Sequence, residues 1–135
     1  MRKLATAVVA AGLFFGGMGV AVADAKHDLI MKSSGVEFVG TYQWQPTTQV
    51  PSGLHLKGEL RDKNSDDGHN VYLRVQVERY AWSRLKGVQK KNVKVDEVYH
   101  DGAVLKTKEV RMEVCRDRGS LRPDNCSPER LFSRR

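Results

Sequence analysis

From Gly35 onward, apolar and polar residues alternate at every second position, the period of a half-buried strand rather than of a helix. Val36, Phe38, Tyr42 and Trp44 share one parity while Glu37 and Gln43 take the other, and Pro46 ends the run. A loop of Thr, Gln, Pro and Ser leads to Gly53, after which Leu54, Leu56 and Leu60 alternate with His55, Lys57 and Glu59. The clearest strand has Val71, Leu73, Val75 and Val77 facing in and Tyr72, Arg74, Gln76 and Glu78 facing out. At Arg79 the parity shifts, so Tyr80 and Trp82 fall on the outer face unless a bulge re-aims them. Val88, Val93, Val95 and Val98 predict another strand, His100-Asp101-Gly102 a turn, and Val104, Val110, Met112 and Val114 a last strand. Trp44 or Trp82 is the expected centre of the core.

No helical period of useful length interrupts this pattern. The expectation is therefore an all-β domain, a single antiparallel β-sandwich or small barrel of about five to six strands with one disulfide. Asp67-Gly68 suits a type I′ turn, where both central residues need positive φ, and predicts a hairpin joining the strands on either side of residues 61–70. Residues 24–34 hold only one apolar cluster, Leu29-Ile30-Met31, and read as an N-terminal leader or a first edge strand. The β-domain is expected over 35–126. From Arg116 onward the alternation is lost, six arginines and two prolines accumulate, and 127–135 reads as a basic C-terminal tail.

The first 23 residues change the picture by fixing a compartment. Met1-Arg2-Lys3 is a positive start, Leu4 to Val20 is apolar with Gly12, Gly16, Gly17 and Gly19 breaking it, and Ala21-Val22-Ala23 is an A-x-A cleavage site before Asp24. Ala23-Asp24-Ala25 offers a second, weaker site. The run is just long enough to span about 30 Å of hydrocarbon, but its glycines and cleavage site favour a removed signal over an anchor. The protein is expected to be secreted, with no stable membrane insertion once 1–23 is removed.

Cleavage after residue 23 of the 135 leaves 112, enough for one domain with one modest core. The whole chain carries 23 Lys+Arg against 16 Asp+Glu, a formal charge of +7, which falls to +5 without Arg2 and Lys3. Acids and bases are mostly interspersed, the signature of a mixed solvated face; the residual positive charge points to anionic extracellular partners. The two cysteines, Cys115 and Cys126, lie in an oxidising compartment and are expected to form a disulfide around ten intervening residues. Zinc is disfavoured because His27, His55, His69 and His100 are scattered without ligand spacing.

Catalytic and cofactor chemistry finds little footing. No G-x-S-x-G or histidine with a paired carboxylate appears, and the pairs that might converge, Glu78 with Glu97 or Asp96 with His100, are of a kind any chain with 16 acids offers. We therefore expect no enzyme, no cofactor and no metal. Asp62 to Gly68 places oxygen ligands at alternate positions as calcium loops do, but Asp67 stands where an EF-hand needs glycine, and position twelve is Leu73 rather than Glu. A solvated turn is the expectation there.

Two surface signals remain. Tyr42, Trp44, Tyr72, Tyr80 and Trp82 cluster on two strands, where aromatics serve either a core or a stacking face. Arg84, Lys86, Lys90, Lys91 and Lys94 form the densest basic run, with only neutral residues between them, and with Trp82 they make the candidate ligand-binding site. The same lysines would also guard an exposed edge strand against pairing.

The glycine-rich signal, the run Val71-Tyr72-Leu73-Arg74-Val75-Gln76-Val77 leading to Tyr80-Ala81-Trp82-Ser83-Arg84, and the ending Val114-Cys115-Arg116-Asp117-Arg118-Gly119 to Cys126 together resemble small secreted β-rich proteins of uncharacterised function from actinomycete-type bacteria. The resemblance implies an exported, disulfide-stapled β-domain and carries no functional residues across. The function expected is a secreted, non-catalytic binding or surface-interaction module whose partner is an anionic extracellular polymer or another secreted protein. The alternative is a proteinaceous inhibitor or effector presenting the stiff Gln45–Gly53 loop with its Pro46 and Pro51.

Overall fold

The computed structural model describes residues 24–64, 66–87, 91–102 and 106–135. Among these, nine strands and no helix are found: β1 (His27–Ser33), β2 (Val36–Trp44), β3 (Leu54–Asp62), β4 (Val71–Val77), β5 (Ser83–Lys86), β6 (Val93–Tyr99), β7 (Glu109–Arg116), β8 (Asn125–Cys126) and β9 (Arg130–Ser133). They form two antiparallel sheets. One has the order β1-β2-β3-β6; the other runs β5-β4-β7, with β8 and β9 both pairing onto β7. The expected signal, 1–23, and the expected strand residues Val88 and Val104 lie outside the described residues. Within the described residues no helix is long and apolar enough to cross a membrane.

The strand count exceeds the expected five to six because both ends of the chain join the sheets. Residues 24–34, read as a leader or a first edge strand, supply β1 at the edge of its sheet, which buries Leu29 and Met31 and leaves Ile30 exposed. Residues 127–135, read as a basic tail, supply β9, whose Phe132 enters the core beside Val110. A four-residue strand with one buried side chain is too short for alternation to reveal it.

The expected hairpin across Asp67-Gly68 is also corrected. β3 is already paired on both edges, to β2 and β6, and has no free edge to offer β4. The chain therefore turns, with Gly68 at φ 73°, and crosses to the other sheet, where β4 pairs with β5 and β7. Turn chemistry reports a change of direction; the partner strand is decided by which edge is open.

One core receives the inner faces of both sheets: Phe38, Leu54, Leu56 and Leu60 from the first, Val71, Leu73, Val75, Val110, Met112 and Val114 from the second. Burying each such side chain contributes about 1.5–3 kcal/mol relative to exposure. Trp44, 3% exposed, is the tryptophan of this core, and Trp82 is not part of it. The single gap in the apolar parity of β2 is Gly40, opposite Gly58. A Cβ on Gly40 would stand 2.2 Å from the Lys57 carbonyl oxygen, so no larger residue fits between these strands.

Cys115 and Cys126 are disulfide-bonded, and as direct register partners they hold β8 to the outer side of β7. By loop-closure entropy a ring of this size contributes about 3 kcal/mol.

Candidate functional site

Because Val71, Leu73 and Val75 face the core, Tyr72, Arg74 and Gln76 face outward, and the pairing of β5 sets Lys86 opposite Tyr72 and Arg84 opposite Arg74. Trp82 reaches this face through a special turn. Glu78 and Arg79 both take positive φ, 49° and 64°. Such residues cost on the order of 1–3 kcal/mol each and persist only where neighbours hold them. Here the Glu78 carboxylate accepts the backbone N–H groups of Lys108 and Glu109, while the Glu78 N–H donates to the Glu109 carbonyl at 3.0 Å. The Gln76 amide donates to the Tyr80 carbonyl at 2.8 Å. This pair of left-handed residues is the physical form of the parity shift at Arg79.

The result is two guanidinium–ring stacks side by side. Arg74 lies 4.2 Å from the centroid of Trp82, and Arg84 lies 4.6 Å from that of Tyr72. Contacts of this kind are worth about 0.5–1 kcal/mol at exposed positions. Arg74 is also paired with Glu113 at 2.9 Å, whereas Arg84 has no carboxylate partner among the described residues. Beneath Arg84, the Tyr72 hydroxyl donates to Asp124; burial first, and that carboxylate second, push the phenol up to about 12.

The six expected site residues divide. Trp82, Arg84 and Lys86 share the outer face of β4 and β5. Lys94 sits on β6 in the other sheet, on the outward parity next to buried Val95, and faces Glu59 across the β3–β6 register. Lys91 is exposed in the connection between the two edge strands, and Lys90 lies outside the described residues. A run that is continuous in sequence is thus shared between two sheets.

A second basic site was not foreseen. Where the β1–β2 turn, the β3–β4 crossover and the disulfide loop meet, a cavity of about 420 Å³ is lined by Ser34, His69, Arg116, Arg118, Arg122 and Asn125. Arg116 ends β7 on the core-facing parity and pairs with Asp67. Its stem runs against Gly35, which has φ +82° and whose Cβ would stand 2.9 Å from Arg116 Cδ, so both backbone and space require glycine there. The surrounding carboxylates are committed to turns. Asp67 accepts the His69 N–H at 2.8 Å, Asp117 that of Gly119 at 2.8 Å, and Asp124 that of Arg118 at 3.3 Å. The side chains of Arg118 and Arg122 make no hydrogen bond or ion pair with any described residue. The available signal was the cysteine pair itself, since Arg116, Arg118 and Arg122 all lie inside one short covalent ring.

At the opposite end of the core a larger cleft of about 740 Å³ is lined by the rings of His27, Tyr42, Trp44 and Phe132 together with polar residues such as Asp24 and Arg134. The Tyr42 ring lies 5.1 Å from His27, stacked, and 4.8 Å from Phe132, edge-on. Arg134 closes this end. It lies 4.7 Å from the Trp44 ring and donates to the Thr107 carbonyl at 3.0 Å, the Gln45 carbonyl at 2.7 Å and the Ser52 hydroxyl at 2.8 Å. Burial lowers its pKa, and Asp24 opposes that. The Gln45–Gly53 loop is tied at its base by Gln45 N–H to the Gly53 carbonyl at 2.9 Å and Ser52 hydroxyl to the Gln45 carbonyl at 3.1 Å, leaving Val50 at the tip 61% exposed.

The pairs considered for catalysis are rearranged. Asp96 hydrogen-bonds His55 at 2.6 Å rather than His100, and that contact, more than nearby Lys57, holds its carboxyl below the usual carboxylate range. Glu78 is engaged by backbone N–H groups, and Glu97 is on β6 in the other sheet. In the acidic loop, the Asp62 carboxylate accepts the Asn64 N–H at 3.1 Å and Asp67 is paired with Arg116, so two of its oxygen donors already serve the turn. Among the described residues, Glu113, Cys115 and Cys126 are close enough to suggest a metal, but both thiols are in the disulfide. What the arrangement presents is cationic hydrogen-bond donors in two places, the β4–β5 face and the arginine cavity. No protein-family model, no curated protein and no solved structure matches the chain.

Proposed function

We propose that this is an exported, non-catalytic binding module, built as a two-sheet sandwich, that docks an anionic extracellular polymer on the outer face of β4 and β5. The observation that carries the reading is the double stack of Arg74 on Trp82 and Arg84 on Tyr72, with Lys86 beside them. A guanidinium already laid on a ring loses less freedom when it meets an anion, and a planar fork suits phosphate or carboxylate oxygens. The disulfide agrees with the oxidising compartment that the expected signal over 1–23 would lead to.

Association with a polyanion releases counterions and weakens steeply as salt rises. The test is retention on a polyphosphate matrix at low and moderate salt, comparing the native protein with Arg84→Ala plus Lys86→Ala and with Lys91→Ala plus Lys94→Ala. The first double variant should elute at clearly lower salt than the second, although both remove two charges. Equal elution of the two variants, or retention indifferent to salt, would overturn the β4–β5 face as the docking surface.

A further inference from the structure

We infer that the arginine cavity at the other side of the disulfide loop is a specific site for one doubly charged tetrahedral oxyanion, a phosphate or a phosphomonoester. It goes beyond the polymer-docking reading and does not depend on it, since none of Trp82, Arg84 and Lys86 lines the cavity.

Charge is the first argument. Three guanidinium groups line the cavity, and the pairing of Asp67 with Arg116 neutralises one of them. Two positive charges are left, on Arg118 and Arg122, to face a dianion. Uncompensated like charges brought to one cavity repel one another, and an anion between them removes that cost. Asp117 and Asp124 keep their charge nearby but place carboxylate oxygens on the backbone N–H groups of Gly119 and Arg118, and among the described residues neither forms an ion pair with Arg118 or Arg122.

Donor chemistry is the second. Arginine forks, the Ser34 hydroxyl, the His69 ring and the Asn125 amide can all donate to oxygen. Apart from Arg116, paired with Asp67, none of these side chains has a partner among the described residues. The Arg116 Nε is buried without an acceptor, an arrangement that is uncommon unless a further group completes it. A carboxylate offers two oxygens to such a set, whereas a tetrahedral oxyanion offers four and can be approached from several sides. The cavity, about 420 Å³, falls in the range of small-ligand sites and also admits the ester substituent of a phosphomonoester.

Mechanical support is the third. The ring closed by Cys115 and Cys126, the Tyr72–Asp124 contact and the glycine at position 35 fix three walls of the cavity, so the backbone that carries the donors is held before any ligand arrives. Preorganisation of this kind is what separates a site from a diffuse basic surface.

The experiment titrates inorganic phosphate, glycerol phosphate and, as a singly charged control, dimethyl phosphate into the disulfide-bonded protein at low salt. It follows both calorimetric heat and backbone amide shifts. Phosphate and glycerol phosphate should bind saturably, with shifts centred on residues 116–125, Ser34 and His69, and dimethyl phosphate at least tenfold more weakly. Binding of inorganic phosphate alone would identify the free ion as the ligand, and equal or tighter binding of glycerol phosphate a terminal ester; either result supports the site. Arg118→Ala plus Arg122→Ala should lower phosphate affinity at least tenfold, while Arg130→Ala plus Arg135→Ala, which removes equal charge from exposed positions, should leave it within about twofold. Equal losses in the two variants, shifts confined to β4 and β5, or no saturable binding of either dianion would overturn the site. Polyphosphate retention through Arg84 and Lys86 is unaffected by any of these outcomes, so the two readings fail separately.

Discussion

The two ends of the core treat the same residue type in opposite ways. At one end Arg134 places its donors on the carbonyls of Gln45 and Thr107 and on the Ser52 hydroxyl, and stacks on Trp44. At the other, Arg118 and Arg122 line an open cavity and meet no partner in the described chain. The first end brings the Gln45 and Thr107 carbonyls and the Ser52 hydroxyl together, so a guanidinium becomes a structural tie. The second has its carbonyls and acids already engaged in turns, so added guanidinium groups face outward with their hydrogen-bonding capacity intact. The difference teaches that an arginine-rich C-terminal stretch need not be a uniform basic surface. Local acceptor supply decides which arginines hold the fold and which are left for a ligand.

The largest expected effect is at the arginine-cavity end but not at its arginines. Replacing Cys115 and Cys126 together by serine should cost about 3 kcal/mol in urea unfolding, from loss of the covalent ring. A loss below about 1 kcal/mol would mean that the loop is held by the Tyr72–Asp124 contact and by Ser127, whose hydroxyl accepts the Val114 N–H at 3.1 Å, rather than by the bridge. Next, Arg134→Ala should cost about 2 kcal/mol, because three charged hydrogen bonds are lost and the carbonyl of buried Thr107 loses its guanidinium donor. Arg134→Lys should recover only part of this, since an ammonium cannot reproduce the fork. The smallest effect sharpens the contrast: Arg118→Ala plus Arg122→Ala should change stability by no more than about 0.5 kcal/mol, in the same denaturation assay. A cost equal to that of Arg134→Ala would collapse the distinction between the two ends.

The strands that the chain announced most clearly were β2, β3, β4 and β7, each long enough for alternation to register and each with one face in the core. The disulfide was legible from two cysteines and an expected oxidising compartment. What stayed hidden was of two kinds. β8 and β9 are two and four residues long and owe their existence to the open edge of β7, a property of the assembled sheet rather than of their own sequence. The crossover at Asp67-Gly68 was misread as a hairpin for the same reason. At the surface, the basic run from Arg84 to Lys94 looked like one patch because it is contiguous along the chain, yet the step from β5 to β6 places its ends on different sheets. The arginine cavity ran the other way, assembled from residues between Ser34 and Asn125 that share no local pattern.

β5 is only four residues long and lies at the rim of its sheet, with β4 on one side and, among the described residues, no strand on the other. Its unpaired backbone groups are a template onto which another chain could add, and the exposed Arg84 and Lys86 are what make a second copy of this chain, equally cationic there, an unwelcome neighbour. Those are the same charges that a polyanion would cancel. On the proposed function, solubility and binding would draw on one set of side chains, and a chain coated by polymer along β5 would lose the repulsion that keeps its rim from meeting another.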